Sequence, residues 1–311
     1  MIVLTDDVAY AESLIAPQRD WSPARFYGFD PGLRELAARL FASRPVFVNA
    51  SDADNRWSHA FVVKEAPCSQ YDLLIDLCRT NFIIPDGIVC LAGTGRNFHG
   101  QRMRPWVALE GNIHLTVFLA PRREINRYGV GFQILAAAAL VETVDSLEGI
   151  ERRAWIKWVN DILIGGAKVA GFLVHTLSRD RTVEAAVVGI GLNVSRRPEL
   201  PEDPFVPHAA SLQDFHREPS SLSPQKILSL LLDRLSENYE LLLSGGIDRL
   251  LSLYRKRSLV VGRRVRIFTD PEEGESREAV SGRVVAIGDN LELWLECREK
   301  PVTKGRLILG K

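Results

Sequence analysis

A chain of 311 residues is long enough for two domains, and 46% hydrophobic with 25% charged residues is ordinary for a packed globular protein. Its 39 Lys and Arg balance 39 Asp and Glu, so no global charge points to a nucleic acid or an anionic membrane surface. Cys68, Cys78, Cys90 and Cys297 lack CxxC spacing, which argues against structural zinc and suits a reducing compartment, the cytoplasm; neither a run of about eighteen apolar residues nor a signal peptide is present.

Residues 1–57 read as a leader with one helix, 31–41, whose apolar side chains recur at helical spacing after an Asp30 cap. A helix-turn-helix needs two or three such helices and a basic recognition face, so DNA is not expected as a partner. From about residue 58 strands and helices alternate: a strand at 61–64, an amphipathic helix at 70–79 and a buried strand at 87–92 that feeds the loop Gly93-Thr94-Gly95-Arg96. A buried Ala- and Leu-rich helix spans 132–147, followed by a hairpin around 157–174 and a long strand at 183–194. Helices at 224–243, capped by Ser223 with Pro224 first, and 247–257 complete this part. Strands at 263–268, 279–287, 290–295 and 306–309, separated by Gly, Asp and Asn turns, fit a small β-barrel. The pattern predicts an α+β fold, a mixed β-sheet covered by helices, with three parts: 1–57, 58–257 and 258–311.

The segment Lys157-Trp158-Val159-Asn160-Asp161 and the strand opening Lys168-Val169-Ala170-Gly171 carry the most chemistry. An ammonium at the start of a buried strand is costly unless it meets an anion, and an Asn-Asp pair can hold magnesium or ribose oxygens. A phosphorylated or carboxylate-bearing ligand fits. For a lone lysine the alternative is a side chain that snorkels from a hairpin end, with Asp161 capping a turn. His114, between Ile113 and Leu115, reads by alternation as facing away from the core.

In order along the chain, Ala92-Gly93-Thr94-Gly95-Arg96 with Gly100, then Trp106 to Thr116 with Gly111-Asn112, then KWVND with its lysine strand, then Val187 to Val194 and Ala210-Ser211-Leu212 resemble the motifs of the biotin–protein ligases, within the biotin/lipoate protein ligase superfamily. The resemblance covers about residues 60 to 311. It implies the ligase catalytic fold with a C-terminal SH3-like barrel, of the kind without a DNA-binding domain. It also implies an AMP-forming enzyme that joins biotin, through biotinyl-adenylate, to a lysine of biotin carboxyl carrier protein or the carrier domain of a carboxylase. ATP, Mg2+ and biotin are the implied ligands, and edge-to-edge pairing of catalytic sheets would give a homodimer.

Carried over residue by residue, the resemblance makes Lys168 and Arg96 catalytic. Lys168 would bridge the carboxylate and the α-phosphate, and Arg96 would sit on a loop that closes over the adenylate. Biotin would meet Ser69, Cys90, Gly93, Thr94, Gly95, Gly171 and Gly189. The nucleotide would meet Arg96, Arg104, Trp106, Asn160, Lys168 and Asn193, with Asp161 toward a metal. Cys90 stands where the family has Gln, Pro67-Cys68-Ser69-Gln70 replaces its D-S-T-N stretch, and Phe98, His99 and Met103 interrupt a normally basic loop. These departures leave a lipoate or octanoate ligase or transferase, and a non-catalytic biotin-binding module, as alternatives. Residues 1–57 have no role in this reading, so a chain starting near Ser58 is expected to stay active.

Overall fold

The computed structural model describes residues 1–15, 20–50, 56–80, 82–201, 203–205, 208–268, 278–296 and 298–310; Cys297 lies outside them. The first elements are β1 (Ile2–Thr5), α1 (Val8–Leu14), β2 (Ser22–Pro23), α2 (Pro31–Phe41) and β3 (Phe47–Ala50). Next come β4 (His59–Ala66), α3 (Gln70–Cys78), β5 (Ile88–Gly95), β6 (Ile113–Leu119), β7 (Arg123–Glu124) and α4 (Tyr128–Asp145). The strands β8 (Ala154–Lys157), β9 (Asp161–Ile164), β10 (Ala167–Arg179) and β11 (Thr182–Leu192) precede helices α5 (Pro224–Leu243) and α6 (Ile247–Lys256). The chain ends in β12 (Arg264–Phe268), β13 (Glu278–Ile287), β14 (Leu293–Leu295) and β15 (Arg306–Leu309).

The large sheet runs β2-β3-β1-β4-β5-β6-β11-β10-β9-β8, with β7 beside β11. Among the described strand pairs of this sheet β1–β4 and β4–β5 are the parallel ones, and each has a helix in its crossover. The expected hairpin is therefore wider than its sequence reading. Lys157 ends β8, residues 158–160 turn, and Gly165-Gly166, both at positive φ, turn β9 into β10. β10 runs thirteen residues because it pairs with β11 along most of its length.

One face of the sheet packs on α4, whose Ala136 to Ala139 are fully buried, and on α1, with α5 and α6 packed in turn against α4. Such a helix, apolar all round, belongs in the middle of a layer rather than at a surface. The other face is covered by α2 and α3 through Leu33, Leu36, Leu40, Leu74 and Phe61. Helix α2 forms where the periodicity places it, with Asp30 at the cap position but without a side-chain hydrogen bond there. Ser69 caps α3 and Ser223 caps α5, accepting from Asp72 N and Lys226 N.

Within residues 1–57, the described strands and helices join the large sheet and its layers. Strand β1 adds to β4 in register, Ile2 N donates to Ser58 O at 2.9 Å, and α2 supplies much of the second core. The reason is that β4 is apolar on both faces, with Phe61 and Val63 on one and Ala60 and Val62 on the other, so it needs a strand beside it and a layer on each side. A separate antiparallel sheet, β14-β13-β12-β15, forms the C-terminal unit. It packs on the part that holds the large sheet: the Trp158 indole donates to Leu291 O at 2.6 Å and Arg255 pairs with Asp289 at 2.8 Å. No helix among the described residues is long and apolar enough to cross a membrane.

A chain starting at Ser58 is therefore expected to lose cooperative unfolding, read by circular dichroism on heating; a sharp transition would show that β1 and α2 are dispensable. In the full chain, Leu36→Ala at a fully buried position is expected to lower stability by about 2–5 kcal/mol in urea titration.

Candidate active site

Helices α2 and α3 cover only part of their face, and a cleft lies over β6, β11 and β10 where they stop. Strand pairing aligns two transverse rows, Ala92–His114–Gly191–Gly171–Asp161 and Cys90–Thr116–Gly189–Leu173, and the cleft floor is formed by His114, Gly191 and Gly171 of the first and Thr116, Gly189 and Leu173 of the second. Partners across a sheet share a face, so Asp161, Gly171, Gly191 and His114 all point toward the cleft.

Lys168 reaches this face because β10 is irregular. The β9–β10 register shifts between Lys168 and Ala170, and the consecutive residues Val169 and Ala170 both enter the opposite core. That extra residue turns Lys168 to the same side as Gly171. Its backbone is held on the outer side, with Lys168 N donating to His208 O at 2.7 Å and Ala210 N donating to Lys168 O at 2.9 Å. A Cβ on Gly171 would lie 3.1 Å from Lys168 Nζ, so glycine leaves room for the ammonium. At Gly191 a Cβ would overlap the Trp106 indole, which lies against the strand.

Lys168 Nζ meets Asp161 Oδ1 at 2.6 Å. Burial pushes the Asp161 carboxyl up, but Lys168 and the nearby Lys157 outweigh it and hold it below the ordinary carboxylate value. Lys157, itself buried, donates to Phe205 O at 2.7 Å, and burial lowers its pKa against the pull of Asp161. With Arg104 also on the wall, cations outnumber the carboxylate, and the cleft suits an anion. Asp161, expected from sequence toward a metal, is engaged by one ammonium and faces a second, and among the described residues no carboxylate lines the cleft beside it.

Of the residues expected from sequence, Lys168, Ser69, Arg104, Trp106, Asn160, Gly171, Gly189 and Asn193 come together at the cleft. Several carry structural work as well. Asn160 Nδ2 donates to Phe172 O at 2.7 Å, Asn193 Nδ2 to Ala210 O at 3.1 Å, and the Ser69 hydroxyl caps α3.

Five residues are not brought there. Cys90 lies on the cleft face of β5 but is fully buried in the α2–α3 core, one strand beyond Thr116, and burial pushes its thiol up. Gly93 and Thr94 border a separate polar hollow with Asp6, Asp7, Arg44, Lys64, Glu65 and Glu110, where Gly93 abuts Lys64 O and the Tyr10 ring. Gly95 packs under Phe98, and Arg96 is exposed outside the cleft lining.

Sequence reasoning passed over Gln70, Tyr71, His99, His114 and Thr116, all of which line the cleft. Gln70 is 1% exposed and its Nε2 has no hydrogen-bond partner among the described residues. His114 faces the cleft rather than solvent, because β6 is buried on both faces and alternation there separates two interiors. Its Nδ1 accepts from the Trp106 indole at 3.3 Å while its Nε2 donates to Leu109 O at 3.2 Å, and burial lowers its pKa to about 4. Asn112 was legible in the Gly-Asn pair. Its Oδ1 accepts from Val194, Ser195 and Arg196 N at 3.0, 3.2 and 3.0 Å, which ties β6 to the segment after β11.

Comparison with known proteins gives this mixed sheet and its cationic cleft a family. The biotin/lipoate A/B protein ligase family profile matches residues 85–193. The biotin–acetyl-CoA-carboxylase ligase of Mycobacterium tuberculosis is 30% identical over 218 residues, 69% of this chain and 76% of that protein. The bifunctional ligase/repressor BirA of Bacillus subtilis is 26% identical over 229 residues, 73% of this chain and 67% of that protein. The biotin protein ligase of Aquifex aeolicus, solved with biotin and ATP, superposes with a TM-score of 0.62 at 20% identity, covering 82% of this chain and all of that one; this likeness concerns the fold. The chain belongs to the biotin/lipoate A/B protein ligase family.

Because the Asp161 pKa is depressed in the folded protein, its contribution is present above the unfolded value, near 3.9, and is lost as pH falls through the folded value. Asp161→Asn should flatten that acid limb in urea titrations at several pH values; an unchanged limb would show that Asp161 contributes nothing. Asn112→Ala leaves three N–H groups without their acceptor and is expected to cost about 1–3 kcal/mol by the same measurement.

Proposed function

We propose that this chain is an ATP-dependent biotin–protein ligase. It joins biotin to a lysine of a carboxylase's biotin carrier domain by way of biotinyl-adenylate. The observation that carries the reading is the ammonium of Lys168 on the cleft floor, within a cluster where Lys157, Lys168 and Arg104 outnumber Asp161. Two anions must meet when a biotin carboxylate oxygen attacks the α-phosphorus of ATP and pyrophosphate leaves, so fixed positive charge lowers that barrier. In the second step the carrier lysine's amine attacks the acyl carbon, the bond to AMP breaks and the amine gives up a proton. Magnesium enters as the counter-ion of ATP.

In this reading Lys168 bridges the carboxylate and α-phosphate, exchanging its Asp161 contact for the substrates. Arg104 and Trp106 face the nucleotide, and Asn160 and Asn193 shape its floor. Ser69, Thr116 and the open amide of Gln70 form the polar end that meets the ring of biotin, which has a ureido carbonyl to accept from Gln70 Nε2. Biotin is favoured over lipoate or octanoate because the relatives matched over most of their length are biotin ligases.

The catalytic unit we propose includes residues 1–57 together with 58–257, and the unit from about 258 to 311 is proposed as an SH3-like barrel. A cytoplasmic location is supported by Cys68, Cys78 and Cys90, which form no disulfide. A homodimer through the catalytic sheet is part of the reading, and DNA is not.

Intact-mass analysis of a carrier domain incubated with the protein, MgATP and biotin, lipoate or octanoate in parallel tests the function. A mass gain with biotin alone is expected. A gain with another acid would change the substrate, and no gain without pyrophosphate release would overturn the ligase. Lys168→Ala is expected to lower pyrophosphate release at least 100-fold while its circular dichroism stays native; near-normal turnover would remove Lys168 from the mechanism.

A further inference from the structure

The segment after the glycine loop folds into a small lobe. Trp106 N donates to Phe98 O and Gly100 N to Arg104 O, both at 2.8 Å, and His99 and Pro105 face each other across it. Two backbone bonds tie this short segment to itself. Phe98 seats the lobe over Gly95 and lies 5.9 Å from the His114 ring. What joins it to the opposite wall is His99. Its Nε2 is 2.9 Å from both carboxylate oxygens of Asp72, on the first turn of α3, and its Nδ1 is 2.9 Å from Gly100 O. The Tyr71 ring stands edge-on to it, 6.3 Å between centroids.

We infer that His99 is a positioning residue for the reaction: it fastens the lobe to α3 through Asp72 and so holds Arg104 and Trp106 over Lys168. This rests on the ligase reading, because it concerns how the nucleotide wall is held. The chemistry of the contacts is specific. Both imidazole nitrogens face acceptors, a carbonyl and a carboxylate, so only the doubly protonated ring makes both bonds, and the one to Asp72 is then charge-assisted. The charged and titratable groups placed around it include Asp72 and Tyr71 of α3, with Cys68 and Asp76 near Asp72, Arg102 and Arg104 in its own lobe and His114 on β6 beneath. Burial works against the charged ring, but the Gly100 carbonyl and Asp72 outweigh it and raise the His99 pKa above the ordinary histidine value. The link is therefore complete below about pH 6.5 and weakens as pH rises through the raised value.

Biotin-dependent exchange of pyrophosphate into ATP, followed from about pH 6 to 9, and limited trypsin cleavage at Arg96, Arg102 and Arg104, read by mass, test this together. In H99A and D72N the KM for ATP should rise about tenfold, the size of one charge-assisted hydrogen bond, with kcat changed less than about threefold. The double variant should be no worse than either single. The rise of KM with pH should be present in the wild type and absent in H99Q, a dependence that loss of packing alone would not produce. Cleavage in the lobe should quicken about tenfold in H99A. KM and cleavage within twofold of the wild type, or additive losses in the double variant, would overturn the inference. If H99A loses its cooperative melt, D72N, which keeps side-chain volume, decides. If the wild type shows no exchange, the ligase reading falls and the cleavage rates alone decide whether the lobe is fastened by His99.

Discussion

The site depends on the approach of one ammonium to one carboxylate. Lys168 and Asp161 lie on neighbouring strands of a sheet interior, where either charge alone would be strongly penalised for leaving water. Their 2.6 Å contact exists because an extra residue in β10 turns Lys168 away from the core entered by Val169 and Ala170. With Lys157 and Arg104 close by, one carboxylate cannot neutralise the group, and the remaining positive charge is presented to the cleft rather than to bulk solvent. An anionic substrate is thus attracted to a place where the dielectric is low and the charges are already oriented.

Around that pair, the architecture works by leaving things out. Helices α2 and α3 stop short, so part of one sheet face has no helix over it. Gly171 and Gly191 withhold Cβ atoms where Lys168 and Trp106 must lie against the strands. The Trp106 indole, held by neutral His114 from below, forms a flat wall beside the ammonium, 5.5 Å from its ring centroid. Polar groups in the same cleft are divided in their duties. Asn160, Asn193 and Asn112 satisfy backbone groups and set the shape, whereas Gln70 Nε2 remains open to a ligand acceptor.

The segments outside the motif-bearing part are structural partners of the site. Strand β1 and helix α2 complete the sheet and the second core, on which α3 and hence Ser69, Gln70 and Asp72 are seated. At the other end, Trp158 donates to Leu291 O and Tyr254 donates to Val159 O at 2.9 Å. The turn that delivers Asn160 and Asp161 is therefore braced by α6 and by the C-terminal sheet. A motif that reads as chemistry in one dimension is equally a joint between two parts of the molecule.

Local physics made much of this legible in the amino-acid sequence. Helices 31–41 and 224–243 follow from apolar periodicity with proline at the first position, the Gly165-Gly166 turn from the need for positive φ, and Lys168 from the oddity of a cation opening an apolar strand. Those properties depend on residues a few positions apart. What the tertiary structure alone decided was facing and cover. Cys90 shares a transverse row with cleft residues yet is sealed by the α2–α3 core, and His114 alternates correctly but lies between two interiors. Arg96 lies outside the cleft lining while His99, three residues on, ties the loop to α3, and residues 1–57 become part of a sheet whose need for them is evident only once β4 is buried on both sides. Alternation states that neighbouring side chains point opposite ways; which way is ligand, core or water is set by elements distant in sequence that pack against each face.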